Sequence, residues 1–382
     1  MSLFSFKSKS KIGVDIGTAS IKIVELTKEG GRFKLGNYSL FELESDDRVA
    51  IKQERRSDKI VQLSDGDIVW GIKEALKRAR INTKDVVASI PSFLTFATVV
   101  KMPFIPEKDV AQTIKFEARK YIPLPLNEVV LDWSILNIAT DKKKEPEEKK
   151  GDEDESEETK KSKPLSEETG QPTSLEVFLA AVPKDETVRY QSIMKRAGLT
   201  LRALELENSA LTRAIVGNDL SPVAIINIGG RSTSILIVDK GIERISHNYE
   251  VGGFEITKSI AESLKIGLKR AEELKRSFGL RQEENNVISK AMSSLIDRMG
   301  FEANRTISGY ELKHGTKIGK VILVGGLVNM PNFVAYFKQK MGREVAIGNP
   351  MARVSAPPEI EKINAELNST FAIAIGLAMR NI

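Results

Sequence analysis

Two short stretches of this 382-residue chain join an apolar strand to a glycine-containing turn, a pattern typical of phosphate-binding sites. The first, IGVDIGTAS, covers residues 12–20, and the second, INIGGRSTS, covers residues 226–234. Each strand delivers a polar residue to its turn, Asp15 in the first stretch and Asn227 in the second. A glycine two positions later, such as Gly17, lets backbone N–H groups approach an anion closely. These residue types predict a pair of turns that bind phosphate through backbone N–H groups.

The carboxylate of Asp15 predicts a metal ion at the same place. A carboxylate beside a phosphate would repel it, so we expect Asp15 to hold a hydrated Mg²⁺. Magnesium keeps most of its waters and usually takes one or two carboxylates together with phosphate oxygens. An isolated D-x-G sequence is more often an ordinary hairpin with an Asx turn. The prediction therefore depends on the repeat of the motif and not on either copy alone.

The second copy has Asn227 where the first has Asp15. A neutral amide removes one negative charge at the metal and one possible partner for an attacking water. Loss of a positioned general base costs roughly 10² to 10⁴ in rate where that group is essential. We therefore expect phosphate binding to survive this change and any hydrolysis at the site to be slow at most. Alternatively, Asn227 ends a strand with a side-chain hydrogen bond to the turn.

A third glycine-containing strand end, VILVGG at residues 321–326, comes shortly before Pro331. We expect Pro331 to occupy the first position of an amphipathic helix. Three such loops in this order match the phosphate 1, phosphate 2 and adenosine motifs of the actin, Hsp70 and sugar-kinase fold. That match implies an α/β protein with two lobes that close on ATP.

A small α+β unit is predicted between the first two loops. Strand-like residues 93–102 precede a helical pattern at 105–122, and strand formers follow at 128–139 and 174–183. The order is strand, helix, strand, strand. The highly charged residues 141–173 lack the apolar side chains needed for ordering, so we expect a disordered insert at the tip of a hairpin.

Helices are predicted in the rest of the chain. One covers residues 185–197 and ends at Gly198, and a helical block runs from about 254 to 300. The apolar residues 371–382 predict a helix too short to cross a membrane, which we expect to pack on the body of the protein. The basic residues 1–10 are interpreted as a loose leader.

Composition excludes several classes of function. The chain has no cysteine, and only His247 and His314 could act as imidazole ligands or bases, which argues against zinc and thiol enzymes. A net charge of +6 suits a phosphate, an anionic lipid or an acidic partner without choosing among them.

Three longer stretches resemble the PilM family of type IV pilus assembly proteins, which are relatives of the division protein FtsA. They are IGVDIGTASIKIVEL at 12–26, the segment from VVASIPSF to NEVVLDW at 86–133, and VGGFEITKSIAESLKIGLKRAEELKRSFGL at 251–280. The resemblance implies an FtsA-like fold in which the strand, helix, strand, strand unit is an SHS2-type subdomain. It further implies ATP and Mg²⁺ in a central cleft.

The resemblance also implies partners and a location. The protein would be a cytoplasmic scaffold at the inner face of the cytoplasmic membrane, bound to the N-terminal peptide of a PilN-like membrane protein. It would contact other pilus platform proteins, with possible self-association and no nucleic-acid partner. A related type II secretion system is the other setting that the family suggests.

Site residues are carried over from the family by motif. The first phosphate loop and its following strand match at Asp15, Gly17, Thr18, Ala19, Ser20 and Lys22. The second loop matches at Asn227, Gly229, Gly230, Ser232 and Thr233, and the adenosine loop at Gly325, Gly326 and Asn329. A helical pair expected near the ribose and base matches at Glu272 and Lys275.

Two acids, Glu205 and Glu207, lie where related ATPases keep the residue that orients the attacking water. Each can equally be interpreted as an acidic residue at a helix N-terminus, where its negative charge interacts favourably with the helix dipole. Glu272 and Lys275 have a similar alternative as an exposed i,i+3 pair. Two rival functions remain at this point. A small-molecule kinase of this fold would need one of the two acids as its base, and an FtsA-like division protein is expected to end in a basic amphipathic helix.

The expected division into domains follows the motifs. One lobe takes residues 11–92, 198–221 and 369–382, and the SHS2-like subdomain takes 93–197. The other lobe takes residues 222–253 and 317–368, with a helical subdomain at 254–316.

Overall fold

The computed structural model describes residues 10–42, 64–140, 172–281 and 287–381. Residues 1–9 of the predicted leader and residues 141–171 of the predicted insert lie outside the described residues.

The strands of the described part are, in chain order, β1 (Lys11–Ile16), β2 (Ser20–Glu29), β3 (Arg32–Glu42), β4 (Asp85–Ile90), β5 (Phe96–Pro103), β6 (Val129–Thr140), β7 (Pro172–Pro183), β8 (Thr200–Leu206), β9 (Val223–Ile228), β10 (Thr233–Asp239), β11 (Ile242–Tyr249), β12 (Lys320–Val324), β13 (Val345–Ile347) and β14 (Val354–Ser355). The α-helices are α1 (Asp65–Arg78), α2 (Glu107–Ala118), α3 (Lys184–Arg196), α4 (Glu207–Leu211), α5 (Gly253–Leu264), α6 (Leu268–Phe278), α7 (Val287–His314), α8 (Phe333–Met341), α9 (Asn364–Thr370) and α10 (Ala372–Ala378).

Two mixed sheets form the centres of two halves. Within the described ranges, one sheet has the strand order β14-β3-β2-β1-β4-β8 and the other has β11-β10-β9-β12-β13. In each, an antiparallel hairpin is joined to a parallel strand: β4 lies beside the hairpin β1–β2, and β12 lies beside the hairpin β9–β10. The same local arrangement occurs twice, which confirms the prediction of two α/β halves. The domain boundaries themselves stay a prediction.

The strand, helix, strand, strand unit is also confirmed. Strands β5, β7 and β6 form a sheet in that order, and α2 covers it. The fully buried Val110 and Ile114 of α2 pack in one core with Val177 and Leu179 of β7. Strands β6 and β7 form an antiparallel pair, as expected for the two sides of the charged insert. Strand β7 begins at Pro172, so the last two residues of the predicted insert belong to the sheet.

An apolar core joins the two halves. Leu211 of α4 and Leu377 of α10 pack against Ile225 and Leu236 of the second sheet. Each fully buried side chain of this size contributes about 1.5–3 kcal/mol. The core fixes α4 between the sheets, and α4 begins at the acidic residue Glu207.

The C-terminal apolar helix packs on the body, as predicted. Every residue of α10 is buried. A Cβ atom built on Gly13 of β1 would lie 2.1 Å from the Ala374 carbonyl oxygen, and one built on Gly376 would lie 2.0 Å from the Ala210 carbonyl oxygen. Helix α10 therefore contacts β1 and α4 backbone to backbone. No helix in the described ranges is long and apolar enough to cross a membrane.

Replacing Gly376 with alanine is expected to lower the free energy of unfolding by about 2–3 kcal/mol, because the new methyl group must push α10 away from α4. Chemical denaturation measures this change. Gly309 is the matched control: it lies in helix α7, and a Cβ atom there meets nothing within 4 Å. Gly309→Ala is expected to be neutral or stabilising by up to about 1 kcal/mol. Equal destabilisation by both substitutions would contradict the packing described for α10.

Two local predictions are wrong. The helical block does not end near residue 300, because the buried side chains Ala303, Ile307 and Tyr310 continue the apolar stripe of α7 to His314. Pro331 is not the first residue of α8. Its carbonyl oxygen accepts the Leu280 N–H at 2.9 Å, and Asn332, with φ of 60°, turns the chain before the helix begins at Phe333.

Candidate functional site

The two predicted phosphate turns have the same geometry. In the first loop, residues 17–20, the Gly17 N–H donates to the Ser20 carbonyl oxygen at 3.0 Å. In the second loop, residues 229–232, the Gly229 N–H donates to the Ser232 carbonyl oxygen at 2.9 Å. The strand register is also repeated: Asp15 lies opposite Lys22, and Asn227 lies opposite Ser234. The sequence repeat is therefore a structural repeat.

The tips of these loops contact each other. A Cβ atom built on Gly230 would lie 2.7 Å from the Ala19 Cβ atom and 3.1 Å from the Thr18 hydroxyl oxygen. Real Cβ atoms do not approach other atoms as closely as 2.7 Å, so this contact requires glycine at position 230. The first and second loops thus face each other from different halves of the molecule.

Asp15 lies at the base of the first loop and is only 2 % exposed. Its carboxylate accepts the Ser89 hydroxyl at 3.1 Å and lies 3.3 Å from the Lys22 ammonium nitrogen. Burial of a charged carboxylate is costly unless the carboxylate is paired with a positive charge or binds a cation. Lys22 supplies that positive charge in this structure, and sequence reasoning did not identify Ser89.

Glu207 is the acid that lies beside Asp15. It is the first residue of α4, and its carboxylate accepts the Ser92 backbone N–H at 3.0 Å. Burial and the nearby Asp15 charge raise the pKa of Glu207 to about 7, although the Ser92 hydrogen bond and Lys22 oppose the shift. A carboxyl group that titrates near neutral pH can accept a proton from water.

Glu205 has a different environment. Its carboxylate is buried and accepts hydrogen bonds from both terminal nitrogens of the Arg213 guanidinium, from Nη1 at 3.0 Å, and it lies 3.2 Å from Arg380. Arg213 also donates to the Gly376 carbonyl oxygen at 2.7 Å. Glu205 therefore anchors α10 to the six-stranded sheet.

The N-terminus of α5 supports the second loop. The Gly253 N–H donates to the Gly229 carbonyl oxygen at 3.0 Å, and the Phe254 N–H donates to the Gly230 carbonyl oxygen at 2.7 Å. Glu255 accepts the Gly252 N–H at 2.8 Å, which is one of the two hydrogen bonds of a capping box, since Gly252 has no side chain to form the other. The carbonyl groups of the second loop are thereby engaged. The GGFE sequence at 252–255 is the signal that could have predicted this support.

Glu272 and Lys275, which were predicted to lie near the ribose and the base, contact each other on α6. Lys275 is 7 % exposed, and its ammonium group lies 2.6 Å from Glu272 and 2.9 Å from both the Gly253 carbonyl oxygen and the Thr257 hydroxyl. Burial opposes the charge on Glu272, but the contacts with Lys275, Thr257 and Arg276 together outweigh burial and lower the pKa of Glu272. Arg276 also bonds Glu272, at 2.8 Å. The pair thus joins a buried Lys275 to a half-buried Glu272 and ties α6 to the start of α5, so the alternative of an exposed surface pair is wrong.

The third loop, residues 325–329, follows β12 beside Asn227. Gly325 has φ of 101°, and a Cβ atom there would lie 2.2 Å from the Ile228 carbonyl oxygen. Its N–H donates to the Ser369 carbonyl oxygen at 2.7 Å. The Asn329 side chain accepts the Ser369 hydroxyl at 2.8 Å and donates to the Thr370 hydroxyl at 3.1 Å. Asn329 therefore holds the loop against α9, while Gly326 begins a short 3₁₀ turn at residues 326–329.

Asn227 lies between the second and third loops. It pairs in register with Ser234 on one side and with Val324 on the other. Its side chain makes no hydrogen bond to any residue that the structure describes, so the alternative of a side-chain bond to the turn is wrong. Thr233, by contrast, is buried and donates to the Val251 carbonyl oxygen at 2.7 Å.

Two α/β halves, joined by a shared core and meeting at paired hairpin loops, define the actin-like ATPase fold. The family model described as type IV pilus assembly protein PilM matches residues 13–149 and 163–382. The chain therefore belongs to the PilM family, and the resemblance inferred from its motifs is confirmed.

Solved structures and curated relatives agree with this fold. The chain is similar to the PilM–PilN type IV pilus biogenesis complex, with a TM-score of 0.76 and 22 % identity, over 97 % of this chain and 98 % of that one. It is also similar to the ethanolamine utilization protein EutJ of Carboxydothermus hydrogenoformans, with a TM-score of 0.52 and 16 % identity, over 97 % and 90 % of the two chains. The cell division protein FtsA of Enterococcus faecalis is 27 % identical over 229 residues, which are 50 % of each protein. EutJ of Escherichia coli is 28 % identical over 149 residues, 39 % of this chain and 48 % of EutJ. The chain spans about half the length of the curated relatives it matches.

Proposed function

We propose that this protein is an ATP-binding scaffold of type IV pilus assembly that holds Mg²⁺-ATP between its first and second loops. The observation that carries the proposal is the pair of matching turns, which meet at Ala19 and Gly230, with the buried Asp15 in the strand that leads into the first turn. Backbone N–H groups in such turns bind phosphate oxygens. A ligand that contacts both loops, one from each half, stabilises the state in which the two halves are close together.

Each site residue has a proposed role. Asp15 would hold the waters of Mg²⁺, because its donor oxygens and its burial suit a hard cation with few protein ligands. The backbone at Gly17, Thr18, Ala19 and Ser20 and at Gly229, Gly230 and Ser232 would face the phosphates, with Lys22 adding positive charge. Gly325 and Gly326 would contact adenosine, and Glu272, oriented by Lys275, would face the ribose. Glu207 would accept a proton from the attacking water.

Hydrolysis is proposed to be slow. Asn227 supplies no negative charge where the first loop has Asp15, and Glu205 is held by two arginines. Glu207 is left as the carboxylate beside Asp15. Binding of ATP is expected to stabilise the fold by about 2.7 kcal/mol at a ligand concentration one hundred times Kd. A melting-temperature shift with ATP and Mg²⁺ that is larger than the shift with ATP alone at the same concentration tests the assignment.

The scaffold role rests on membership of the PilM family and on the fold shared with a PilM–PilN complex. We propose that the protein works in the cytoplasm and reaches the inner face of the membrane through the N-terminal peptide of a PilN-like protein. Further contacts to pilus platform proteins and to a second copy would complete the scaffold.

An immobilised N-terminal peptide from the PilN-like protein of the same organism is expected to retain this protein from solution. A peptide of the same composition in scrambled order is the matched control. Retention that differs with and without Mg²⁺-ATP would show that the cleft and the partner surface are coupled. Equal retention by both peptides would contradict the partner proposal and leave nucleotide binding untouched.

A further inference from the structure

Ser92 occupies the connection between the first half and the three-stranded sheet. It follows β4 and begins a 3₁₀ turn, Ser92–Leu94, that leads into β5. The residue is 6 % exposed. Its carbonyl oxygen accepts the Thr95 hydroxyl at 3.1 Å, which closes the turn. Ser92 is therefore held rigidly at a point where three parts of the molecule meet.

Two hydrogen bonds from Ser92 reach residues in different halves. Its backbone N–H donates to the Glu207 carboxylate at 3.0 Å, and its hydroxyl donates to the Asn248 side-chain oxygen at 2.9 Å. Glu207 begins α4, whereas Asn248 lies on β11 of the second sheet. The carboxylate beside Asp15 is thus connected to the opposite half through one residue.

Asn248 is also aligned with the second loop. It lies opposite Ser234 of β10, and Ser234 lies opposite Asn227 of β9. Residues directly opposite each other on antiparallel strands direct their side chains to the same face of the sheet. Asn227, Ser234 and Asn248 form one row, and Ser92 binds the end of that row. A movement of the second sheet relative to β4 would therefore act on Ser92.

We propose that Ser92 is a positioning residue that holds Glu207 in place for ATP hydrolysis only while β11 is docked. This inference rests on the proposed nucleotide site. In the reaction, the water oxygen attacks the γ-phosphorus and the bond from that phosphorus to the β–γ bridging oxygen breaks. Glu207 takes a proton from the water, and ADP leaves with the electron pair of the broken bond. Ser92 touches none of the reacting atoms and acts through Glu207.

The test compares single-turnover hydrolysis with equilibrium binding of Mg²⁺-ATP, using the full chain. Ser92→Ala keeps the backbone N–H but removes the hydroxyl, and with it both the hydrogen bond to Asn248 and the side-chain interaction with Glu207. Hydrolysis is therefore expected to slow by about tenfold or more, as it does when a catalytic group is misplaced. The dissociation constant is expected to stay within about twofold, since Ser92 contacts no proposed binding residue of the loops. Ser92→Thr keeps the hydroxyl and is expected to restore the rate.

Asn248→Ala breaks the Ser92–Asn248 bond alone and is expected to slow hydrolysis as well. The double variant is expected to be no slower than Ser92→Ala, because Ser92→Ala already removes that bond. Thr113→Val is the control, since it removes a hydroxyl that donates to the Asp109 carbonyl oxygen within α2 and not to Ser92, Glu207 or Asn248. If Ser92→Ala does not fold, Asn248→Ala decides the question.

Several results would overturn the inference. These are wild-type rates in both single variants, multiplicative losses in the double variant, an equal loss in Thr113→Val, or no hydrolysis by a wild-type protein that binds ATP. A wild-type protein that binds no ATP overturns the proposed function instead, and the positioning role with it. The binding measurement therefore distinguishes the two failures.

Discussion

Asn227→Asp is expected to increase steady-state ATP turnover by about 10²-fold. The substitution places a carboxylate at the end of β9, opposite Ser234 and beside the second loop, where the first loop has Asp15. A second acid there gives the attacking water another proton acceptor and adds a negative charge near the metal. The side chain at position 227 makes no hydrogen bond within the described part of the chain, so the exchange breaks no contact. Phosphate release at saturating Mg²⁺-ATP measures the change.

Asn137→Asp is the matched control for this experiment. Asn137 is exposed on β6 of the three-stranded sheet, so the variant has the same added charge outside the cleft. Its turnover is expected to equal that of the wild type. Unchanged turnover in a folded Asn227→Asp variant that still binds ATP would show that the amide is not what limits hydrolysis.

Asp15→Asn is expected to weaken binding of Mg²⁺-ATP by about 10- to 100-fold, the usual loss when a residue that orients the waters of a metal is removed. Asparagine has nearly the same shape and can still accept a hydrogen bond from the Ser89 hydroxyl. The loss of affinity therefore measures the effect of the negative charge and not of side-chain volume. The Lys22 ammonium, 3.3 Å from the carboxylate, would also lose its partner. Calorimetric titration with Mg²⁺-ATP measures the affinity.

Asp132→Asn serves as the control for Asp15→Asn. The Asp132 carboxylate is exposed on β6 and accepts the neighbouring Trp133 N–H, far from the loops. It is expected to bind ATP as the wild type does. Equal affinities for all three proteins would mean that Asp15 does not serve the metal.

The loops and sheets were predictable because their signals are local. Apolar strands that end in Asp15 or Asn227, with a glycine two residues later, determine a tight hairpin within a few residues of chain. The repeat then predicted two halves, and both hairpins have the same turn and the same register. The apolar period of α2 predicted its buried face for the same reason.

The supporting contacts were not predictable because they join distant parts of the chain. Ser89 is 74 residues from Asp15, and Ser92 is 156 residues from Asn248. A serine in a strand or turn carries no sequence signal for a partner that only the tertiary fold supplies.

The two candidate acids show the same limit. Glu205 and Glu207 are two positions apart at the junction of β8 and α4, and sequence alone left both as bases or as dipole charges. Three-dimensional packing separates them, because Arg213 and Arg380 surround Glu205 whereas Ser92 and Asp15 are the neighbours of Glu207. Pro331 was misplaced for a related reason, since its position depends on a contact with Leu280.

Calorimetric titration of ATP into the wild-type protein in the presence of Mg²⁺ tests most directly whether the three loops bind the nucleotide. We predict a single site per chain with Kd of about 1 μM or tighter, and weaker binding when Mg²⁺ is chelated. A folded protein that shows no binding heat and no change in melting temperature with Mg²⁺-ATP would contradict the assignment of the three loops.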